Sequence, residues 1–232
     1  MKIADRLCLA LDVPTVEAAE SWVARTKGAF SVYKIGLQLF CAAGPMVIDR
    51  VVAAGAPSVF LDLKLHDIPR TVARAVSSLH GLGVRYLTLH TAGGRDMLSA
   101  AAEVAGPAGI QLLGVTVLTS LDAATLRQTG VEVAPAACVV QRGRLALDNG
   151  VTGLVCSALE VQSLRHTLGS TCTLVTPGIR LPGGAAGDQK RVATPAAAVA
   201  AGASLLVIGR AVTAAEDPDA AVTAVHLDLA HV

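Results

Sequence analysis

Eight short runs of nearly unbroken apolar residues punctuate this sequence: LCLAL (7–11), SVYKI (31–35), SVFLDL (58–63), VRYLTL (84–89), IQLLGVTVL (110–118), TGLVCS (152–157), CTLVTP (172–177) and SLLVIG (204–209). Continuous apolar character is what strands buried on both faces of a parallel sheet require. Between the runs lie segments with helix signals. Thr15 can cap a helix that runs through Arg25, and Pro45 and Pro69 stand where a first helical turn begins. Further helices are expected at 94–105, 135–148, 158–168, 195–201 and 217–229, with Gly55, Gly81, Gly150, Gly169 and Gly202 where helices should stop. Strand–helix alternation repeated eight times predicts an α/β fold, a closed (β/α)8 TIM barrel, with residues 1–232 forming a single domain. An open doubly wound sheet is the alternative, but no G-x-G-x-x-G follows the first run.

Composition narrows the class. Of 232 residues, 53% are apolar and 16% charged, which is ample for one buried core and excludes a disordered chain. Nineteen Lys and Arg against eighteen Asp and Glu leave a formal charge of +1. Nucleic acid and membrane surfaces call for a basic excess, so neither is an expected partner. Any attraction for an anionic substrate has to be local. The cysteines (Cys8, Cys41, Cys138, Cys156 and Cys172) are odd in number, with no Cys-x-x-Cys pair and no zinc-ligand cluster. Lys2, Asp5, Arg6 and Asp12 make the opening unlike a secretory leader, and a reduced, cytoplasmic protein is expected. The uncharged stretch 192–209 is Ala-rich and broken by Pro195, Gly202 and Ser204, so it reads as helix, turn and buried strand rather than a membrane span. Two connections, 119–134 and 178–194, are longer than the rest; such loops on compact barrels commonly act as lids or binding loops.

Catalytic groups of a parallel barrel come from the carboxyl ends of its strands. Polar residues fall at those ends here: Asp12, Lys34, Asp62 with Lys64, His90, Thr119, Ser157, Arg180 and Arg210, in strand order. In FLDLKLHDIP (60–69), a period of two sends Asp62 and Lys64 to one side and Leu61, Leu63 and Leu65 to the other. The leucines then pack beneath helices and the charged pair aims into the barrel mouth. A lysine among apolar residues needs opposite charge nearby, which Asp62 supplies, with Asp67 just past the strand. A salt bridge that merely plugs the barrel is the structural alternative. Lys34 adds a second cation on the neighbouring strand. Ammoniums flanked by carboxylates stay protonated, which suits stabilising developing negative charge and delivering a proton rather than Schiff-base attack. In VIGRAV (207–212), Gly-Arg after the eighth strand offers backbone N–H groups and a guanidinium to an oxyanion. Loops after strands seven and eight form the recurrent phosphate site of these barrels, and Arg180 with the 178–194 connection extends it. A phosphorylated substrate is therefore expected.

LALDV (9–13), YKIG (33–36), DLKLHDIPRT (62–71), VTVLTS (115–120), TPGIR (176–180), DQKRV (188–192) and IGRA (208–211) stand in the order and context of bacterial orotidine 5′-phosphate decarboxylases. The chain resembles that family over essentially its whole length. The resemblance implies decarboxylation of orotidine 5′-phosphate to UMP in pyrimidine biosynthesis, with neither metal nor organic cofactor. It implies Lys64 as the proton donor at C6 of the pyrimidine, Asp62 against the substrate carboxylate and Lys34 on the ribose. Asp67, with Ile68 and Thr71 beside it, would reach into the neighbouring subunit's site, so that a homodimer completes it. Asp12 would bind the ribose, Thr119 the pyrimidine and Pro177 the ring; Arg180, Gln189, Gly209 and Arg210 would make the phosphate and lid contacts. His90 stands where family members also carry His, and its role stays open.

Other barrels compete with this reading. A Mg2+-dependent sugar-phosphate decarboxylase or aldolase of the same superfamily shares the Asp-x-Lys-x-x-Asp strand, but the I-P-x-T, P-G-I-R and D-Q-K-R segments favour the pyrimidine substrate. A silent nucleotide-binding barrel would lack a Lys or Asp of the charged network, and none is missing. An isomerase barrel would want a Glu or His base near a carbonyl, which this Lys-rich mouth does not offer.

Overall fold

The computed structural model describes residues 2–181, 193–230 and 232. All eight apolar runs form strands: β1 (Leu7–Ala10), β2 (Val32–Gly36), β3 (Val59–Leu65), β4 (Val84–His90), β5 (Gln111–Val115), β6 (Gly153–Val155), β7 (Thr173–Thr176) and β8 (Leu205–Ile208). Each pairs in parallel with the next, and Leu7↔Leu206, Cys8↔Val207 and Leu9↔Ile208 join β1 to β8. The ring is closed, as the alternation predicts. β5 and β6 are shorter than their apolar runs. After Val115 the chain leaves the barrel wall, and side chains take over from the ladder: the Thr116 hydroxyl donates to Val155 O (3.1 Å) and Arg142 donates to Thr116 O (2.9 Å).

The covering helices are α1 (Val16–Arg25), α2 (Leu37–Ala43), α3 (Met46–Ala53), α4 (Pro69–Ser77), α5 (Gly94–Ala105), α6 (Ala123–Gln128), α7 (Pro135–Leu147), α8 (Ala158–Leu168), α9 (Pro195–Ala200), α10 (Arg210–Thr213) and α11 (Pro218–Leu229). Thr15 caps α1 by accepting from Ala18 N (3.2 Å), and Pro69 opens α4. Pro45 is the cap of α3 rather than part of its first turn. Gly169 ends α8 at φ 81°, a conformation that glycine adopts without strain. The apolar pattern does not announce α2, which follows β2 at once, or α6 inside the 119–134 connection; both are too short for a helical period to show. The uncharged stretch that ends at Gly209 holds α9 and β8, and no described helix is long and apolar enough to cross a membrane.

Two apolar layers lie on either side of the strands. Leu9, Ile35, Leu61 and Leu87 face outward into the packing with the helices. Cys8, Val32, Phe60, Tyr86, Leu113, Val175 and Val207 fill the interior. Each such side chain contributes about 1.5–3 kcal/mol by leaving water, so the floor beneath the mouth is a packed solid. One period of two further along each strand, the inward row turns functional: Val32 is followed by Lys34, Phe60 by Asp62, Val175 by Pro177 and Val207 by Gly209.

Candidate active site

The strand ends enclose a cavity of about 390 Å³ above this floor. Asp12, Lys34, Asp62 and Lys64 line it from the β1–β3 side; Thr119 comes from beyond β5, and Pro177, Arg180, Gly209 and Arg210 from the β7–β8 side. Val115, Val117, Val155 and Val207 complete an apolar lining.

The charged residues form a chain of contacts. Lys34 Nζ donates to Asp12 Oδ1 (3.0 Å) and lies 3.5 Å from Asp62 Oδ2. On its other oxygen Asp62 accepts from Lys64 Nζ (2.8 Å) and from the Thr88 hydroxyl (3.0 Å). Burial alone would pull the Lys34 pKa down, but the negative charges of Asp62 and Asp12 more than offset it, and the net direction is up. Burial likewise works against the Asp62 carboxylate, yet Lys34 and Lys64, with hydrogen bonds from Lys64 and Thr88, hold its pKa below the ordinary carboxylate range. Removing one partner from such a buried pair costs about 3–5 kcal/mol, so these charges depend on each other.

The expected sides along β3 are the observed ones, with Asp62 and Lys64 both lining the cavity, but the backbone at Lys64 is not that of a regular strand. Lys64 has φ 50°, and among the described residues it is the one non-glycine at positive φ. The cause lies in the register: Leu61 pairs with Leu87 and Leu65 with Leu89, so the stretch 62–64 stands opposite Thr88 alone. A left-handed lysine costs about 1–3 kcal/mol. Two hydrogen bonds, Lys64 N to Thr88 Oγ1 (2.9 Å) and Lys64 Nζ to Asp62, are of the size needed to offset that strain. Leu63 and Leu65 still pack against the outer core, as expected, while the bulge rather than strict pleating delivers Lys64 to the cavity.

On the opposite side, the two ends of the long connection after β7 are joined by a parallel bridge, Ile179↔Ala193, and Arg180 N donates to Ala193 O (2.9 Å). Burial and then the charge of Arg210 lower the Arg180 pKa. Two guanidiniums held within electrostatic reach of each other are suited to sharing one anion.

Not every expected residue joins the cavity within one chain. Asp67 is exposed and accepts from Ile68 N (2.6 Å); Ile68 and Thr71 are exposed too, and none of the three lines the cavity. Gln189 lies outside the described residues, with most of the 178–194 connection. Ser157 is buried at the start of α8, where its N–H donates to Glu160 Oε2 (2.8 Å). His90 also stays out of the lining: it is half-buried beside His66, with ring centroids 5.4 Å apart. Burial and the neighbouring His66, Lys64 and Arg142 lower its pKa, which favours the neutral ring.

Three participants escape a reading of strand ends. Thr213 lines the cavity from α10, one turn past Gly209 and Arg210. A Cβ on Gly36 would fall 2.9 Å from Asp12 Oδ1 and 3.2 Å from Lys34 Nζ, so the glycine leaves room for that ion pair; YKIG contains it but spacing gives it no role. Thr88 sits in mid-strand, where its sequence context is that of any buried β-branched residue. Among the described residues no group of three or more His, Cys, Asp and Glu side chains could hold a metal ion, and both cavity carboxylates engage Lys34.

Residues 5–225 match the model of the Orotidine 5′-phosphate decarboxylase / HUMPS family. The chain is 49% identical over 225 residues to an orotidine 5′-phosphate decarboxylase of Anaeromyxobacter sp. strain K, which covers 97% of this chain and 98% of the relative. It is 51% identical over 217 residues to one of Opitutus terrae, covering 93% and 94%. The crystal structure of orotidine 5′-phosphate decarboxylase from Lactobacillus acidophilus is similar at a TM-score of 0.84 and 34% identity, over 97% of this chain and 99% of that chain.

Proposed function

Because this chain belongs to the orotidine 5′-phosphate decarboxylase / HUMPS family, we propose that it converts orotidine 5′-phosphate to UMP and CO2 in pyrimidine biosynthesis, using neither metal nor organic cofactor. The observation that carries this reading is one apolar-floored cavity with Asp62 and Lys64 on one side and Arg180 and Arg210 on the other. A ligand with a phosphate at one end and a reacting carboxylate at the other matches that separation of charge.

In this reading Arg180, Gly209, Arg210 and Gln189 take the phosphate, Asp12 and Lys34 the ribose, and Thr119 and Pro177 the pyrimidine. The bond from C6 to the carboxylate breaks heterolytically: CO2 departs and the electron pair stays on C6. No adjacent carbonyl spreads that charge, so stabilisation falls to an ammonium already in place. Lys64 Nζ then gives its proton to C6 and regains one from solvent. Asp62, kept ionised by its lysine partners, faces the substrate carboxylate, and their repulsion is relieved as CO2 leaves. Phosphate contacts remote from C6 fix the ring for this event.

The active form is a homodimer in the cytoplasm, each chain a single catalytic domain whose site receives Asp67, Ile68 and Thr71 from the second copy. Exposure supports this: Ile68 after β3 and Leu37 after β2 are apolar side chains left 66% and 52% exposed in the single chain, which a second copy would cover. Incubation of the purified protein with orotidine 5′-phosphate and excess EDTA tests the function. Loss of the orotate absorbance with formation of UMP is expected. No such turnover, together with Mg2+-dependent turnover of a sugar phosphate, would favour the metal-dependent lyase instead.

A further inference from the structure

We propose that Thr88 is a positioning residue for the decarboxylation, its hydroxyl holding Lys64 directly at the backbone N–H and, through Asp62, at the ammonium, and so fixing where the proton donor stands. The inference rests on the roles given above to Lys64 and Asp62. Thr88 is fully buried and does not line the cavity, so it acts only through those two residues. It is the one residue of β4 that faces the irregular stretch 62–64 of β3, where the ladder between the strands is interrupted.

The directions of its hydrogen bonds follow from chemistry alone. A backbone N–H can only donate and a carboxylate can only accept. The hydroxyl therefore accepts from Lys64 N (2.9 Å) and spends its single proton on Asp62 Oδ1 (3.0 Å). That same oxygen accepts from Lys64 Nζ (2.8 Å). The result is a ring that leaves Lys64 at its backbone, passes through Thr88 and Asp62, and returns to Lys64 at its ammonium. A flexible lysine stem is thereby restricted at its root and at its tip, which is the kind of orientation that a proton transfer exploits. Valine matches threonine in shape but can neither accept nor donate; serine can do both.

Steady-state kinetics with orotidine 5′-phosphate on Thr88→Val and Thr88→Ser test the clasp. Thr88→Val should lower kcat about 10- to 100-fold, the scale of a hydrogen bond to a charged group, with KM within about threefold of wild type. Thr88→Ser should restore kcat to within about threefold. Wild-type kcat in Thr88→Val, equal losses in both variants, or a change confined to KM would overturn the proposal. Should Thr88→Val fail to fold, Thr88→Ala against Thr88→Ser makes the same comparison. Lys64→Ala, assayed beside them, separates the two levels of inference. If it stays active, the reading of the site fails; if it is inactive while Thr88→Val behaves as wild type, only the clasp fails.

Discussion

The β1–β3 side and the β7–β8 side of the barrel mouth concentrate charge differently: the first mixes ammoniums with carboxylates, and the second brings two guanidiniums together. On the first, Lys34 and Lys64 are answered within the chain by Asp12 and Asp62, in contacts of 2.8–3.5 Å, and the backbone accepts strain at Lys64 to make them. On the second, Arg180 and Arg210 are close enough for the charge of one to lower the pKa of the other. A self-compensated cluster is already organised before any ligand arrives, and its energetic cost is met in folding. Two neighbouring guanidiniums concentrate positive charge where an anionic group of a ligand can be received. The difference separates a part suited to stabilising a transition state from a part suited to binding.

Substitutions should break this contrast in graded fashion. The largest effect is expected from Lys64→Ala: kcat should fall roughly 10^3-fold or more if its ammonium stabilises the developing charge. Activity within about tenfold of wild type would remove Lys64 from that role. Arg210→Ala should act on binding instead. Titration calorimetry should show UMP weakened by about 10- to 100-fold while uridine, which lacks the phosphate, changes little. An equal loss for both ligands would take Arg210 out of the phosphate site.

Mixing two inactive variants, Lys64→Ala and Asp67→Ala, probes whether the organised side is shared between subunits. Random exchange leaves one intact site in each hybrid dimer, hence about a quarter of wild-type activity. No recovery despite demonstrated exchange would place Asp67 outside the partner's site.

The smallest expected signal is an absence of titration. Asp62 is held below the usual carboxylate range, so the stability it contributes is complete above an unfolded pKa of about 4 and is lost only as pH falls through the lower folded value. Lys34 is raised, so its contribution is complete below an unfolded pKa of about 10.4 and lost as pH rises through the higher folded value. Between about pH 5 and 10 neither group should titrate. A carboxyl NMR titration of Asp62 with its midpoint above about 4 would contradict the network's hold on it.

The same contrast explains which parts could be anticipated. Strand-end positions of Asp12, Lys34, Asp62, Arg180 and Arg210 follow from counting along each apolar run, because a parallel barrel presents its carboxyl ends on one face. Such counting treats each strand separately. It therefore misses Thr88, whose partners lie 24 and 26 residues away, and Gly36, whose role appears only when Asp12 is folded beside it. It brings Lys64 to the cavity side but misses the bulge there, since alternation within β3 says nothing of how β3 registers against β4.

Apolar runs, turn glycines and capping residues are local properties, and they were sufficient to specify an eightfold α/β barrel and to bring charged residues to its rim. The bulge at Lys64, the clasp through Thr88 and the division of Lys34 between Asp12 and Asp62 arise from relations between strands. Register, close packing and the pairing of buried charges are settled jointly by distant segments, because each buried polar group has to find its partner in space rather than along the chain.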